Sequence, residues 1–587
     1  MEREPVAATE GTADGRNSAW SVSAAERLQV AALAVLGLSL ALGAVRAMQA
    51  GWIPVGDEAL IEMRVRDVPG RLPLLGVYSR FGWSHPGPAQ FLLLALPYRL
   101  LGSASASLLA GALAGHLFTV GAAWWIARRV DRLVGVVMLV TFEIVLVAVP
   151  SDLVRSAWNP YVALLGAGLM VIVAWGWAER VPVAAMLLLP LSTLLVQAHV
   201  GNLPLVVMVV AASSPLAIWW HSSGRGGVPA TEAVPWRALG LGALVATLLW
   251  IPAIVEQFSA DPGNVTRMVR DLSGEAPRSG VADALDIGTH FFGWWPAWAD
   301  QRSLVQQLAW TGWTVPIWLV VPVLAVLVAA RRRDARMLRG LAISAVGVAS
   351  TMVAAAAVKG VVFSYLLVGH RSIVAVFMAV AVATLLMALP PAATAAFSAS
   401  LSAVAVVLAA AIGMSQWSAT NPSIPFDATV RAVTTAVEQQ ADGSAVFITS
   451  TGDDPSRDVA SGLLLQLERA GVRATTVRDE DWRMGPHRTS DGVPAGALDV
   501  RIAPVGSELM LADEGYRVLF EYQPLDTDEV ASIARLVAER DEIIAEGESG
   551  AGSDRDAAIR FVQIQELIGQ IDALRADTVS TLVGVRA

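Results

Sequence analysis

The sequence has 587 residues, no cysteine, a single lysine and few charged side chains of either sign. Without cysteine there are no disulfides, thiolate nucleophiles or zinc–thiolate sites. Charged residues make up 16%, where soluble domains carry about a quarter. The one lysine, Lys359, stands among 42 basic residues, so arginine supplies nearly all the positive charge. With abundant alanine, valine and glycine, this is a composition of the high-GC bacterial kind. The net charge of −9 is concentrated in the C-terminal third and excludes a nucleic-acid binder.

What fills the chain instead is apolar. Hydrophobic residues account for 55%, and the mean hydropathy is +0.55. Runs such as Val30–Val45 and Val315–Ala330 approach the ~20 residues needed to cross roughly 30 Å of hydrocarbon. Spans are expected near 29–48, 105–126, 133–150, 161–178, 181–198, 202–220, 238–256, 308–330, 340–358, 372–389 and 396–416. Pro88–Gly102 is apolar but short, and it holds Pro97 and Arg99 where a spanning helix would face lipid. Counting it as a span would put Arg128, Arg129 and residues 331–339 outside. Placing it on the membrane surface puts 127–132, 178–180, 221–237 and 331–339 all in the cytoplasm, as basic loops require. The resulting expectation is an α-helical polytopic cell-membrane protein of about eleven spans. Residues 1–27 read as a disordered cytoplasmic tail, not a cleavable signal. Residues 28–417 form the transmembrane domain, and 418–587 form an extracytoplasmic α/β domain.

That last segment is a different material. Ser444–Ser450 has a strand pattern, Asp458–Gly471 is an amphipathic helix stopped by glycine, and Val472–Val477 is a second strand, together a β-α-β unit. Asp556–Asp577 has helical spacing. There is no nucleotide-binding glycine motif or nucleophile elbow in it, which favours a binding or lid role.

Under this topology the polar chemistry gathers on the outer side. "GDEALIEMRVRD" (Gly56–Asp67) and "SRFGWSHPGPAQ" (Ser79–Gln90) form the first outer loop and "SDLVRSAWNPY" (Ser151–Tyr161) the second. "QAHVGN" (Gln197–Asn202), Val255–Trp298 and "VKGVVFSYLLVGHR" (Val358–Arg371) follow. Prolines around His85 would start the surface helix, and its glycines would allow a bulky ligand close to the backbone.

"GDEA" after the first span, "HPGP" downstream, then "WNP" and "QAH", resemble the GT-C glycosyltransferases. The likeness is to bacterial relatives of the protein O-mannosyltransferases and lipid A aminoarabinose transferases, and it covers roughly residues 30–390. It implies a GT-C-like fold and an enzyme that moves a sugar from a polyprenyl-phosphate lipid to a glycan, lipid or protein acceptor of the cell envelope, on the outer face. It implies Asp57 as general base with Glu58 in reserve, and Asp152 to orient the acceptor. His85, Arg155, Lys359, His370 and Arg371 become ligands of the donor phosphate, with Arg155, Lys359 and Arg371 converging on one cavity. Trp83, Trp158, Asn159, Gln197, His199, Asn202 and Tyr365 would line the acceptor pocket. Two departures stand out: Leu60 replaces an arginine common three residues after the aspartate, and "HPGP" replaces the usual His-Pro-Pro or lysine. No cofactor is implied, and a divalent cation stays open. Two other readings compete: a transporter or flippase of lipid-linked saccharide, and a noncatalytic scaffold that binds wall polymers.

Overall fold

The computed structural model describes residues 24–220, 233–274, 278–294, 313–360, 362–422, 424–452, 454–524, 527–548, 560, 563–564, 566–571 and 579–586. The expected tail over residues 1–23, residues 221–232 of the 221–237 loop and the stretch 295–312 lie outside them.

The bundle is built from α1 (Ala24–Ala50), α4 (Ser107–Val130), α5 (Arg132–Ala148), α7 (Val162–Ala178), α8 (Pro182–Ala198), α9 (Leu203–Pro215), α10 (Trp236–Ser259), α13 (Val320–Arg331), α14 (Ala335–Ala356), α15 (His370–Leu386) and α16 (Pro391–Ser418). Among the described residues eight helices are long and apolar enough to cross a membrane. The other three of the eleven expected, α5, α8 and the stretch Ile317–Arg331 that contains α13, are apolar but shorter. Between them lie α2 (Gly56–Asp67), α3 (Ala89–Leu100), α6 (Ser151–Arg155), α11 (Asn264–Leu272) and α12 (Gly280–Phe291).

α7 is the buried centre, packed by α4, α8, α9, α14 and α15. α1 lies along α16. Small residues bring them close: a Cβ on Gly413 would stand 2.5 Å from the Ser39 hydroxyl, and Ser39 donates to the Ala409 carbonyl. This is the usual way to pack helices where lipid removes the hydrophobic drive. In the first turn of α1, Glu26 meets Arg128 and Arg132, each at 3.5 Å.

The two ends of the bundle have different chemistry. At one end Glu26, Arg128 and Arg132 gather, and Arg339 pairs with Glu179 at 2.6 Å. At the other end the polar stretches around 57, 78–85, 158–160, 199–204, 271–272 and 357–366 come together. The side-segregation expected from the charge pattern is therefore present in the packing.

α3 has 12 residues, about 18 Å at 1.5 Å per residue, too short to span. Leu93, Leu96 and Leu100 are exposed along it, while Phe91, Leu94 and Tyr98 are buried. One face of it is exposed leucine and the other is packed against the protein.

α2 was expected as an acidic loop and is a helix. Asp57 and Glu58 sit in its first turn and Arg64 and Arg66 in its last, matching the helix dipole. Its apolar residues point in two directions. Ile61 and Val65 join a core with Trp52, Phe91 and Tyr98 of the membrane side. Ala59, Leu60 and Met63 join a core with Val430, Leu463, Val500 and Val583. A helix buried on both flanks shows no single apolar stripe, which hid it in the sequence.

The C-terminal unit contains α17 (Ile424–Ala441), α18 (Asp454–Arg469), α19 (Asp481–Met484), α20 (Glu508–Asp513) and α21 (Thr527–Glu548). They accompany β1 (Val446–Ser450), β2 (Ala474–Val477), β3 (Thr489–Ser490), β4 (Leu498–Ala503), β5 (Arg517–Tyr522) and β6 (Thr581–Arg586). The sheet order is β3-β2-β1-β4-β6-β5. β1 through β4 are parallel, and β6 is inserted antiparallel between β4 and β5. The predicted β-α-β unit is β1-α18-β2. Of the predicted helix over 556–577, the described residues 560, 563–564 and 566–571 are helical.

Candidate functional site

A cavity of about 340 Å³ opens at the polar end of the bundle. Each of the sequence motifs contributes to it: Asp57 from "GDEA", His85 from "HPGP", Trp158 and Asn159 from "WNP", and His199 from "QAH". Trp83, Lys359 and Tyr365 complete the predicted residues that line it.

Asp57 is half-buried at the N-terminus of α2. Tyr78 Oη donates to its Oδ1 at 2.5 Å, and Trp158 Nε1 donates to its Oδ2 at 2.7 Å. Both oxygens are thus oriented, and each keeps a lone pair for another proton. Glu58 points elsewhere. It is buried and accepts from the Ser156 hydroxyl at 2.6 Å.

"SRFGWSHPGPAQ" folds as a hairpin, not a simple hinge. Ser79 N donates to Trp83 O at 2.7 Å and His85 N to Val77 O at 2.8 Å. Gly82 at its tip has φ +78°, a conformation that favours glycine. The tip sets Arg80, Phe81 and Trp83 against the cavity. Close backbone approach does occur, but to the chain itself: a Cβ on Gly87 would strike the Gln197 side chain at 2.3 Å. Pro88 is the N-cap of α3, as expected of the proline.

The histidines are neutral donors. His85 Nδ1 accepts from Val200 N at 3.2 Å, and His199 Nδ1 accepts from Gly201 N at 3.2 Å. The proton on each ring is therefore on Nε2. The rings lie 4.6 Å apart. Burial, then the neighbouring His199, holds His85 well below the ordinary histidine range, and burial lowers His199 to about 4. His85 cannot act as a fixed cation for a phosphate; it has a hydrogen bond to offer.

The lasting positive charges on the cavity wall are Lys359 and Arg80. Lys359 Nζ donates to the backbone carbonyl of Asp271 and, at 3.0 Å, to its Oδ1. Asp271 Oδ2 takes the indole N–H of Trp83 at 3.0 Å. Arg80 lies over Phe363, 5.1 Å from the ring centroid. Phe363 stacks with Tyr365 at 5.7 Å, and Tyr365 meets Trp158 at 4.8 Å. An arc of aromatic rings therefore runs from Arg80 to the indole that holds Asp57.

Other predicted residues lie outside the cavity wall. Arg155 is fully buried and is spent on the end of α16. Nη2 donates to Gln416 O, Nε to Gln416 Oε1 at 3.2 Å, and Nη1 to Ala419 O at 3.2 Å and Asn421 Oδ1 at 3.0 Å. Helix-terminal carbonyls lack internal partners, and Arg155 supplies them. Asp152 lies in α6 beside it. His370 is stacked on Phe291 at 4.7 Å, and its Nδ1 meets Leu367 O at 2.5 Å. Arg371 is buried in the first turn of α15. Of the three cations expected to converge, Lys359 alone lines the cavity. Gln197 bonds Ala89 N at 3.1 Å and Leu249 O at 3.0 Å, tying α3, α8 and α10 together. Asn202 holds Leu195 O at 3.1 Å, whereas Asn159, on the cavity wall, holds Ala198 O at 2.8 Å. Tyr78, Arg80 and Asp271 were not foreseen. Only the local "YSRFGW" aromatic–basic mixture hinted at the first two. No group of His, Asp or Glu among the described residues is arranged to hold a metal ion.

Two solved structures are similar to this chain. One is the crystal structure of ArnT from Cupriavidus metallidurans in the apo state, with a TM-score of 0.44 and 13% identity over 83% of this chain and 95% of that one. The other is ArnT from the same organism bound to undecaprenyl phosphate, with a TM-score of 0.40 and 13% identity over 84% of this chain and 95% of that one. No family model and no curated protein matches the sequence. Likeness at this level transfers no activity or residue role, and the functional reading rests on the cavity.

Proposed function

We propose that this membrane protein is a glycosyltransferase that moves a sugar from a polyprenyl-phosphate lipid to an envelope acceptor at the outer face, with Asp57 as general base. The observation that carries the reading is Asp57 itself, a carboxylate oriented through both oxygens in a cavity that also holds Lys359, Arg80 and an aromatic arc. Each part has a use in the reaction. Asp57 takes the proton of the acceptor hydroxyl as its oxygen bonds to the anomeric carbon. The bond from that carbon to the phosphate oxygen breaks, and the lipid phosphate leaves with the electron pair. Lys359 and Arg80 neutralise the leaving phosphate, and the Nε2–H groups of His85 and His199 add neutral donors. The rings offer apolar faces to a sugar. Four motifs far apart in the sequence and meeting at one cavity support the resemblance that suggested the chemistry. No step in this scheme requires a metal ion.

The test starts from the envelope glycan lost when the gene is deleted. Restoring the gene should restore that glycan. Asp57→Asn, nearly isosteric but unable to accept the proton, should fail, with rates lowered ~10²–10⁴ while protein level and fold persist. Glu58→Gln should lose less. An Asp57→Asn protein that restores the glycan fully removes the general base and favours the transporter or scaffold reading.

A further inference from the structure

Asp57 is oriented by Tyr78, and Tyr78 is in turn held by the C-terminal unit. Arg483 in α19 stacks its guanidinium over the Tyr78 ring, 4.4 Å from the centroid, and its Nη2 donates to Tyr78 Oη at 3.4 Å. Burial, then the charge of Asp57, pushes the Tyr78 hydroxyl well above the ordinary tyrosine range. The hydroxyl keeps its proton and is the donor in the 2.5 Å bond to Asp57. A hydroxyl that accepts from a cation while donating to an anion is polarised in one direction along the chain. Arg483 Nη1 also donates to Glu480 Oε2 at 2.7 Å, which leaves Nη2 to reach Tyr78.

The surrounding backbone is arranged to keep this alignment. Gly56, directly before Asp57, has φ +52°, donates to Ser461 Oγ of α18 at 2.7 Å, and approaches Asp458 so closely that a Cβ would lie 2.5 Å from Oδ1. Gly485, two residues after Arg483, is packed so that a Cβ would meet Arg64 of α2 at 2.5 Å. Both ends of the Arg483–Tyr78–Asp57 chain are thus seated on one interface.

We infer that Arg483 is a positioning residue for the Asp57 carboxylate, acting through Tyr78, so that the C-terminal unit completes the catalytic site. The inference rests on the glycosyl-transfer reading above.

The test is a double-mutant cycle on the full chain, in membrane vesicles of the deletion strain carrying each variant and supplied with labelled nucleotide sugars, which charge the endogenous carrier. Initial transfer into the missing glycan is measured per amount of protein. Arg483→Gln should lower the rate ~10-fold, the scale of a small misplacement at a reacting group, without changing the thermal midpoint of the purified protein. Arg483→Lys should recover part of it. Tyr78→Phe should also slow transfer, and adding Arg483→Gln to it should cost nothing more. A parental rate in Arg483→Gln overturns the inference, as does a double variant whose loss is the product of the two single losses. A rate loss matched by a lowered thermal midpoint and no recovery with lysine would make Arg483 merely structural. Parental vesicles that transfer no sugar overturn the glycosyl-transfer reading, and the inference falls with it.

Discussion

Arg488 and Asp67 are 421 residues apart in the sequence and meet through two hydrogen bonds, Nη2 to Oδ1 at 2.9 Å and Nη1 to Oδ2 at 3.0 Å. The same guanidinium reaches Glu468 at 2.5 Å and donates to the Met63 carbonyl at 3.2 Å. Arg469 adds a 2.5 Å contact to the buried Glu62. α2 is fastened to the C-terminal unit by buried, charge-assisted bonds at its far end, as it is by Gly56 at its near end.

Removing one partner of a buried pair strands the other. Arg488→Met should therefore cost ~3–5 kcal/mol, because both side chains are only 3% exposed. Thermal unfolding of the purified protein checks this. Adding Asp67→Leu should return part of the loss, since the stranded charge is gone. A single variant as stable as the parent would mean the pair contributes little to docking.

The same network sets an acid limit. Burial acts to raise the Asp67 carboxyl, but hydrogen bonds from His487 and Arg488 outweigh it and hold it below the usual carboxylate range. Glu468 is half-buried, which acts to raise it, but hydrogen bonds from Arg488 and then Arg66 hold it below its ordinary range. Groups with depressed folded values stabilise fully above their unfolded pKa, about 4, and lose that contribution as pH falls through the folded values. The unfolding midpoint should be nearly flat from pH 7 to 5 and should fall below about pH 4. The fall should be shallower in Arg488→Met. An equal slope in both proteins would place the acid sensitivity elsewhere.

Lys359 meets a carboxylate, Asp271, where the proposal puts a phosphate. Lys359→Gln should raise the donor KM by about 10–100-fold, the worth of one charge-assisted hydrogen bond. Asp271→Asn removes the competing carboxylate and should lower that KM or leave it unchanged. Steady-state kinetics at varied carrier-linked sugar distinguishes them. A Lys359→Gln protein with the parental KM would move the phosphate to Arg80 alone.

Sidedness has its own check. With the basic connections in the cytoplasm, a reporter active only there should be silent when fused after Ser418 and active when fused in the 331–339 loop. The reverse pattern would place the cavity on the cytoplasmic face.

The bundle helices were legible because hydrocarbon thickness imposes long apolar runs. The common side of the motifs was legible because arginine marks the opposite connections. β1-α18-β2 carried its own periodicities. The site was readable through the motifs of the family resemblance, which carry Asp57, Trp158 and His199, and through the one lysine, Lys359. Arg155 stood out equally and proved to serve the carbonyls of α16, a distinction that requires knowing where α16 ends. Tyr78 and Asp271 depend on hairpin and helix packing that no local pattern encodes. Arg483 depends on a contact 405 residues distant. α2 was missed because both its flanks are covered, by cores that come from opposite ends of the chain.

That shared core has a consequence for how the protein is made. Ile53, Val55, Ala59, Leu60 and Met63 pack among residues from Val430 to Val585. Chains emerge N-terminus first, so α2 is made with its apolar flank bare and waits while nearly the whole bundle is synthesised. The last strand, β6, then closes the sheet between two strands already present. A ribosome that stops before Thr581 would leave a membrane-inserted protein whose Asp57 helix is seated against an unfinished sheet.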